Sequence, residues 1–224
     1  MLLLCQAQVC FGFSFNKSKT ELNKIVYGKK NKTFYCGCSF QAKTIDLKSC
    51  EVKTQKHRKR KSRLEWEHIV PAHAFGQSFS EWREHKKVCG KKSKSPRKCA
   101  RKKNDLFRLM EGDPYNLVPA VGSVNALRSN FSFAELTQGE ELCSGFFLKE
   151  RKVMPRNSLK GDIARIYFYM DLKYPNRGII SNKNAKLFEA WSKLDPISQE
   201  ECKRYQDIKK QFKAENEILA KGCV

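Results

Sequence analysis

The sequence predicts a single mixed α+β domain, largely helical and stapled by disulfides, and three observations predict it. In the last third of the chain, apolar residues recur at three- and four-residue steps, the period of an amphipathic helix. Two stretches nearer the N-terminus, residues 33–40 and 64–70, carry the aromatic, Thr and β-branched content of strands. Ten cysteines stand in 224 residues, and no two are separated by the two residues that mark common metal sites, so disulfides are the expected use. With 40% hydrophobic residues, including 15 Phe, 7 Tyr and 3 Trp, the chain has the apolar mass for one packed core.

Charge narrows the partners. Lys plus Arg number 45 against 23 Asp plus Glu, a formal net charge of +22. An excess this large repels itself and points to a polyanion, with nucleic acid ahead of acidic glycans or anionic membranes. A membrane span is excluded, because no run reaches about 18 apolar residues and the apolar start is broken at Gln6 and Gln8. Residues 1–10 read as a truncated secretory signal without its basic segment, leaving 11–224 as the functional domain. Export to the periplasm or the medium agrees with an oxidised chain. Cleavage near Ala7 to Cys10 leaves Cys36, Cys38, Cys50, Cys89, Cys99, Cys143, Cys202 and Cys223. Eight cysteines pair in any of about 105 ways, and the pairing stays open.

Along the chain, residues 16–27 suggest a short amphipathic helix with Leu22, Ile25 and Val26 on one side. In a strand over 33–40, Cys36 and Cys38 face the same side and so bond different partners, with Cys50 stapling the strand to its neighbours. A basic run follows at 53–63, then a strand that ends at Pro71. A second basic loop, 90–103, is bracketed by Cys89 and Cys99, and a bridge there would fix its charges in place. Residues 105–111 read as one or two helical turns, 112–119 as irregular turn chemistry, and 121–129 as a short helix. Three longer helices close the chain. The first spans 158–174 and is stopped by Pro175, the second is capped by Ser181, and the third opens on the capping-box pair Ser198 and Glu201.

Only His57, His68, His73 and His85 offer imidazole chemistry. His57 and His85 sit among Lys and Arg as surface residues, and His73 reads as a packing or surface residue. His68 differs in its company. Glu67 precedes it, Pro71 follows, Asn116-Leu117 comes later, and Asn125 stands nine residues after Asn116 on a helix. That order matches the HNH, or ββα-metal, finger. The flanks extend the match: residues 65–76, 109–122 and 163–170, the 34–38 segment and the helix at 187–191 all resemble the endonuclease I family of bacterial periplasmic and secreted nucleases, over about residues 20–224.

The resemblance implies a domain built round a ββα-metal finger, with His68 as general base and one divalent metal held by Glu67 and Asn125. Mg²⁺ is the expected ion, with Mn²⁺ or Ca²⁺ as substitutes, since a hard cation takes oxygen ligands and fills its remaining positions with water and phosphate. The arginine that grips the cleaved phosphate matches Arg97, with Lys98 or Arg101 as stand-ins. Glu111 falls beside the metal ligands, and Asn116 pins the finger loop through backbone hydrogen bonds. One tension remains, because Glu67 and His68 leave an extended strand on opposite faces and flank one phosphate only if the strand twists or ends there.

Substrate contact is expected through backbone phosphates from Arg58, Lys59, Arg60, Lys61, Lys98, Arg101 and Arg128. Such contacts carry no base information, so a monomer accepting both DNA and RNA, without membrane partners, is expected. The leading rival is a secreted cationic protein that binds nucleic acid or heparin without turnover. A glycosidase using Glu65 and Glu67 is a weaker one, because two carboxylates on one strand are poorly placed to straddle a glycosidic bond.

Overall fold

The computed structural model describes residues 14–28 and 31–223. The apolar start, with Cys5, Cys10 and the proposed signal segment, lies outside the described residues. The first helix is α1 (Phe15–Glu21), capped by the Ser14 hydroxyl, and it runs on into a single wide turn at Leu22–Val26. Leu22 is buried there as expected, whereas Ile25 faces solvent.

The strand expected over 33–40 is mostly a tight turn. The Gly37 N–H donates to the Thr33 carbonyl, and Gly37 itself adopts φ +67°, open to glycine and strained for other residues. Pairing begins only with β1 (Phe40–Gln41) against β2 (Thr44–Ile45). Cys36 and Cys38 do take different partners. Cys36 bonds Cys143, Cys38 bonds Cys50, Cys89 bonds Cys99, and Cys202 bonds Cys223. These bridges use all eight candidate cysteines.

The site-bearing unit is two strands and a helix. β3 (Leu64–His68) runs antiparallel to β4 (Leu117–Val121), with Glu67 opposite Val118 and His68 opposite Leu117. Helix α7 (Gly122–Arg128) follows β4 without a break. Between the strands lie α2 (Ala72–Gly76), α3 (Ser80–Arg83), α4 (His85–Val88), α5 (Pro96–Lys103) and α6 (Asp105–Glu111). The supposed loop at 90–103 is therefore helical in its second half. Ser95 caps α5 by accepting from the Lys98 N–H, and Pro96 sits in the first turn, where its missing N–H costs nothing.

After α7 a small sheet appears that sequence periodicity does not announce, since its strands have two to four residues each. β5 (Ser132–Phe133) lies parallel to β8 (Lys152–Met154), which pairs with β7 (Phe146–Lys149), which pairs with β6 (Glu140–Cys143). The remaining helices are α8 (Lys160–Lys173), α9 (Asn182–Leu194), α10 (Gln199–Phe212) and α11 (Glu217–Ala220). Ser181 and Ser198 cap α9 and α10 as expected. Glu201 does not complete a capping box, because its carboxylate instead takes the buried Arg165 guanidinium on α8.

One continuous apolar core joins α8 and α9 to β3 and β4, through residues such as Ile163, Met170, Phe188, Trp191, Leu117 and Val118. Among the described residues, no helix is long and apolar enough to cross a membrane.

Candidate active site at the end of β3

β3 ends in Glu67 and His68, and the structure keeps their side chains on opposite faces of the strand. His68 is 6% exposed. Its Nε2 lies 2.8 Å from the Glu111 carbonyl oxygen, which accepts the Nε2 proton and leaves the lone pair on Nδ1. Phe15 of α1 stacks on the imidazole at 4.9 Å between centroids. Burial, reinforced by the Arg97 charge, pushes the imidazole down to about 3, so it is neutral throughout the physiological range. Replacing Phe15 with Ala should admit water and move this pKa upward, read from the His68 ring proton shifts in a pH titration. An unmoved pKa would show that Phe15 is not what dries the ring.

On the other face, Glu67 is 5% exposed. The Tyr35 hydroxyl donates to its Oε1 at 3.3 Å, and Arg128 Nε stands 3.0 Å from the same oxygen. Burial outweighs the favourable Arg128 charge and pushes the carboxyl up to about 7. Arg128 is thus no surface contact. It is 0% exposed, donates to the Ile69 and Ser129 carbonyls, and lies over the Phe133 ring. The last turn of α7 faces the core, which makes Arg128 the internal counter-charge of Glu67 rather than a phosphate ligand.

Asn125, in the middle of α7, packs on the Glu65–Glu67 face of β3. Its Nδ2 donates to Glu65 Oε2 at 2.9 Å, and Arg60 Nε donates to Glu65 Oε1 at 2.9 Å. Burial raises the Glu65 carboxyl, but the bonds from Arg60 and Asn125 outweigh it and hold the group below the usual carboxylate range. The sequence nominates Arg60 for phosphate contact, yet the structure engages its guanidinium with Glu65.

The donor set suits a divalent cation. A carboxylate from Glu67 and a carboxamide oxygen from Asn125 are hard ligands. With Nδ2 anchored on Glu65, the amide is oriented so that Oδ1 is the atom left to coordinate. Among the described residues, no group of three or more His, Cys, Asp and Glu is arranged to hold a metal. Glu67 and Asn125 would hold an ion only together with ligands from water or substrate, since a divalent cation of this kind takes about six.

The His68 face carries the arginines. Arg97 Nε donates to Glu111 Oε1 at 2.5 Å, and Arg101 grips both Glu111 oxygens, at 2.5 and 2.6 Å. Burial raises the Glu111 carboxyl, but the two guanidinia outweigh it and hold the pKa low. Arg97 Nη2 is buried without a hydrogen-bond partner, an unfilled donor beside His68 of the kind a phosphate oxygen would satisfy. The Cys89–Cys99 bridge holds α5, and with it Arg97, in place. Asn116 braces the chain after β3, accepting from the Val70 N–H at 2.7 Å and donating to the Val70 carbonyl at 3.0 Å.

Arg58, Lys59 and Lys98 are exposed and Lys61 is half-buried, so these cations face solvent. His73 is also exposed, edge-on to Trp82. Sequence reasoning missed Phe15 and Tyr35 as wall residues and Glu65 as the partner of Asn125. The last had a signal, because residues two apart on a strand share a face.

The strand pair and helix α7 bring Glu67, His68 and Asn125 to one end of β3, with Arg97 on the His68 side. Comparison with known proteins gives the family. The endonuclease I model matches residues 14–220. An extracellular deoxyribonuclease of Aeromonas hydrophila is 37% identical over 220 residues, covering 94% of this chain and 90% of that protein. A periplasmic deoxyribonuclease of the same organism is 35% identical, covering 94% and 86%. Endonuclease-1 of Buchnera aphidicola from Acyrthosiphon pisum is 36% identical, covering 98% and 91%. The chain belongs to the endonuclease I family and is an endonuclease.

Proposed function

We propose that this chain is an exported, non-specific endonuclease that hydrolyses DNA and RNA, with His68 as general base and one divalent metal, Mg²⁺ in the first instance, held by Glu67 and Asn125. The carrying observation is the end of β3, where a neutral, tautomer-fixed imidazole and a carboxylate leave on opposite faces. In-line displacement asks for that arrangement, since the water attacks from one side of the phosphorus and the 3′ oxygen departs from the other. The two strands and α7 then constitute a ββα-metal finger.

His68 Nδ1 takes the proton of the attacking water, and the Glu111 carbonyl holds the ring through Nε2. Arg97 offers Nη2 to a phosphate oxygen, while Glu111 fixes its guanidinium. When bound, the metal supplies charge stabilisation at the phosphate and at the departing oxygen. Arg58, Lys59, Lys61 and Lys98 meet backbone phosphates, and none of the catalytic groups reads a base or a 2′ hydroxyl. The names of the extracellular and periplasmic relatives support export.

Cleavage on this scheme leaves 5′-phosphates. Digested DNA should accept a kinase label only after phosphatase treatment; efficient labelling without it would mean the opposite bond is broken. Glu67 binds a cation only as the carboxylate, and its carboxyl stands at about 7. Mn²⁺ affinity measured by calorimetry should therefore rise about tenfold per pH unit below 7 and flatten above it. A flat profile from pH 5.5 to 8 would remove Glu67 as a ligand.

A further inference from the structure

Glu65 is the residue the mechanism leaves unused. Its side chain is only 18% exposed. It makes bonds in two directions, accepting from Asn125 Nδ2 at 2.9 Å and from the Arg60 guanidinium through Nε at 2.9 Å and through Nη2. The surrounding backbone is shaped to admit it. A Cβ on Gly122, the first residue of α7, would stand 2.9 Å from Glu65 Oε1 and 2.6 Å from the Arg60 carbonyl oxygen, closer than side-chain carbons come. The Gly122 N–H donates to the Arg63 carbonyl at 2.9 Å, so the basic segment is laced to the start of α7.

An amide can turn by half a rotation and exchange its oxygen for its nitrogen at little cost, and a carboxylate beside it decides the matter because it accepts only. Glu65 takes Nδ2, so Oδ1 is presented away from it. Arg60 in turn holds Glu65 through two nitrogens, a fork that fixes the carboxylate plane. Arg60 belongs to the basic run at 53–63, whose other cations Arg58 and Lys59 are exposed.

We propose that Arg60 and Glu65 form a positioning relay that sets the orientation of the Asn125 amide, and thereby the metal affinity of the site, and that Arg60 does not serve as a phosphate contact. The inference rests on the assignment of Asn125 as a metal ligand.

The test is Mn²⁺ binding to the full-length oxidised protein, followed by electron paramagnetic resonance, for wild type, Asn125→Ala, Glu65→Ala, Glu65→Gln and the Glu65→Ala/Asn125→Ala pair. The metal-free melting temperature of each serves as the folding control. Glu65→Ala should weaken Mn²⁺ about tenfold, and Glu65→Gln, which can still accept from Nδ2, should weaken it less. The double variant should be no weaker than Asn125→Ala alone, since the relay acts only through Asn125. If Asn125→Ala weakens Mn²⁺ and Glu65→Ala leaves it within twofold, the relay is wrong and the metal site stands. If Asn125→Ala itself leaves affinity unchanged, the metal assignment fails and the relay falls with it.

Arg60 gives a second, independent reading. Its charge is already offset by Glu65, so Arg60→Ala should leave the salt dependence of DNA binding in EDTA unchanged, whereas Lys59→Ala should lower the slope by about 0.9. An equal drop for both would make Arg60 a phosphate contact and overturn that half of the proposal.

Discussion

Substituting His68 with alanine should lower kcat for plasmid cleavage by about 10³-fold, within the range that removal of a general base produces. The imidazole is held for proton transfer at one nitrogen: Nε2 is bonded to the Glu111 carbonyl, which leaves Nδ1 to take a proton. Arg97 and Arg101 cannot, since both are cations paired with Glu111. DNA affinity in EDTA should stay within about twofold of wild type, because the proposed phosphate contacts are other residues. Mn²⁺ affinity should hold likewise, as Glu67 and Asn125 lie on the other face. Phe15 loses its stacking partner, so a small fall in melting temperature accompanies the change. Single-turnover kinetics at saturating enzyme isolates the chemical step. Cleavage within threefold of wild type would take His68 out of the mechanism.

Removing the Cys36–Cys143 bridge by paired alanine substitution should cost about 4–5 kcal/mol, because it closes the longest loop, with a sequence separation of 107. The Cys202–Cys223 bridge, with a separation of 21, should be worth about 3 kcal/mol on the same chain-entropy argument. For a domain of this size the first loss corresponds to a fall of roughly 10–15 °C in melting temperature by scanning calorimetry. The bridge also bears on the site. It ties the turn carrying Tyr35 to the end of β6, and the Tyr35 ring stacks on Phe146, the first residue of β7, at 4.2 Å while its hydroxyl reaches Glu67 on β3. Residual activity measured well below the new melting point should therefore show weakened metal affinity as well. A fall of less than about 3 °C would mean that core packing alone holds this turn.

The helices of the last third were legible because long amphipathic periods and Ser caps are local signals, and Ser181 and Ser198 cap their helices as the sequence indicates. Short strands were not legible. The four-stranded sheet of β5 to β8 has strands too brief to establish a period of two, and the 33–40 stretch has strand composition yet folds as a turn, because two diverging disulfides and Gly37 decide its path. Motif order located the residues gathered at β3, since His68, Glu67, Asn116 and Asn125 come from segments adjacent in the fold. Charge did not resolve them further. Arg60, Arg101 and Arg128 look alike in sequence to Arg58 and Lys59, but the first three meet carboxylates on Glu65, Glu111 and Glu67, and only tertiary contact tells them apart. The basic residues thus divide into arginines paired with buried or half-buried acids and cations, such as Arg58 and Lys59, that face solvent.

On the proposed function, the end of β3 hydrolyses phosphodiester bonds with a divalent metal. Digestion of plasmid DNA and of RNA by the oxidised protein, with Mg²⁺ and with EDTA, beside His68→Ala and Asn125→Ala, tests it most directly. Cleavage of both substrates that needs the metal and is lost in both variants is the predicted result. Tight, salt-sensitive binding by the wild type without any cleavage, or cleavage that survives EDTA and both substitutions, would contradict it.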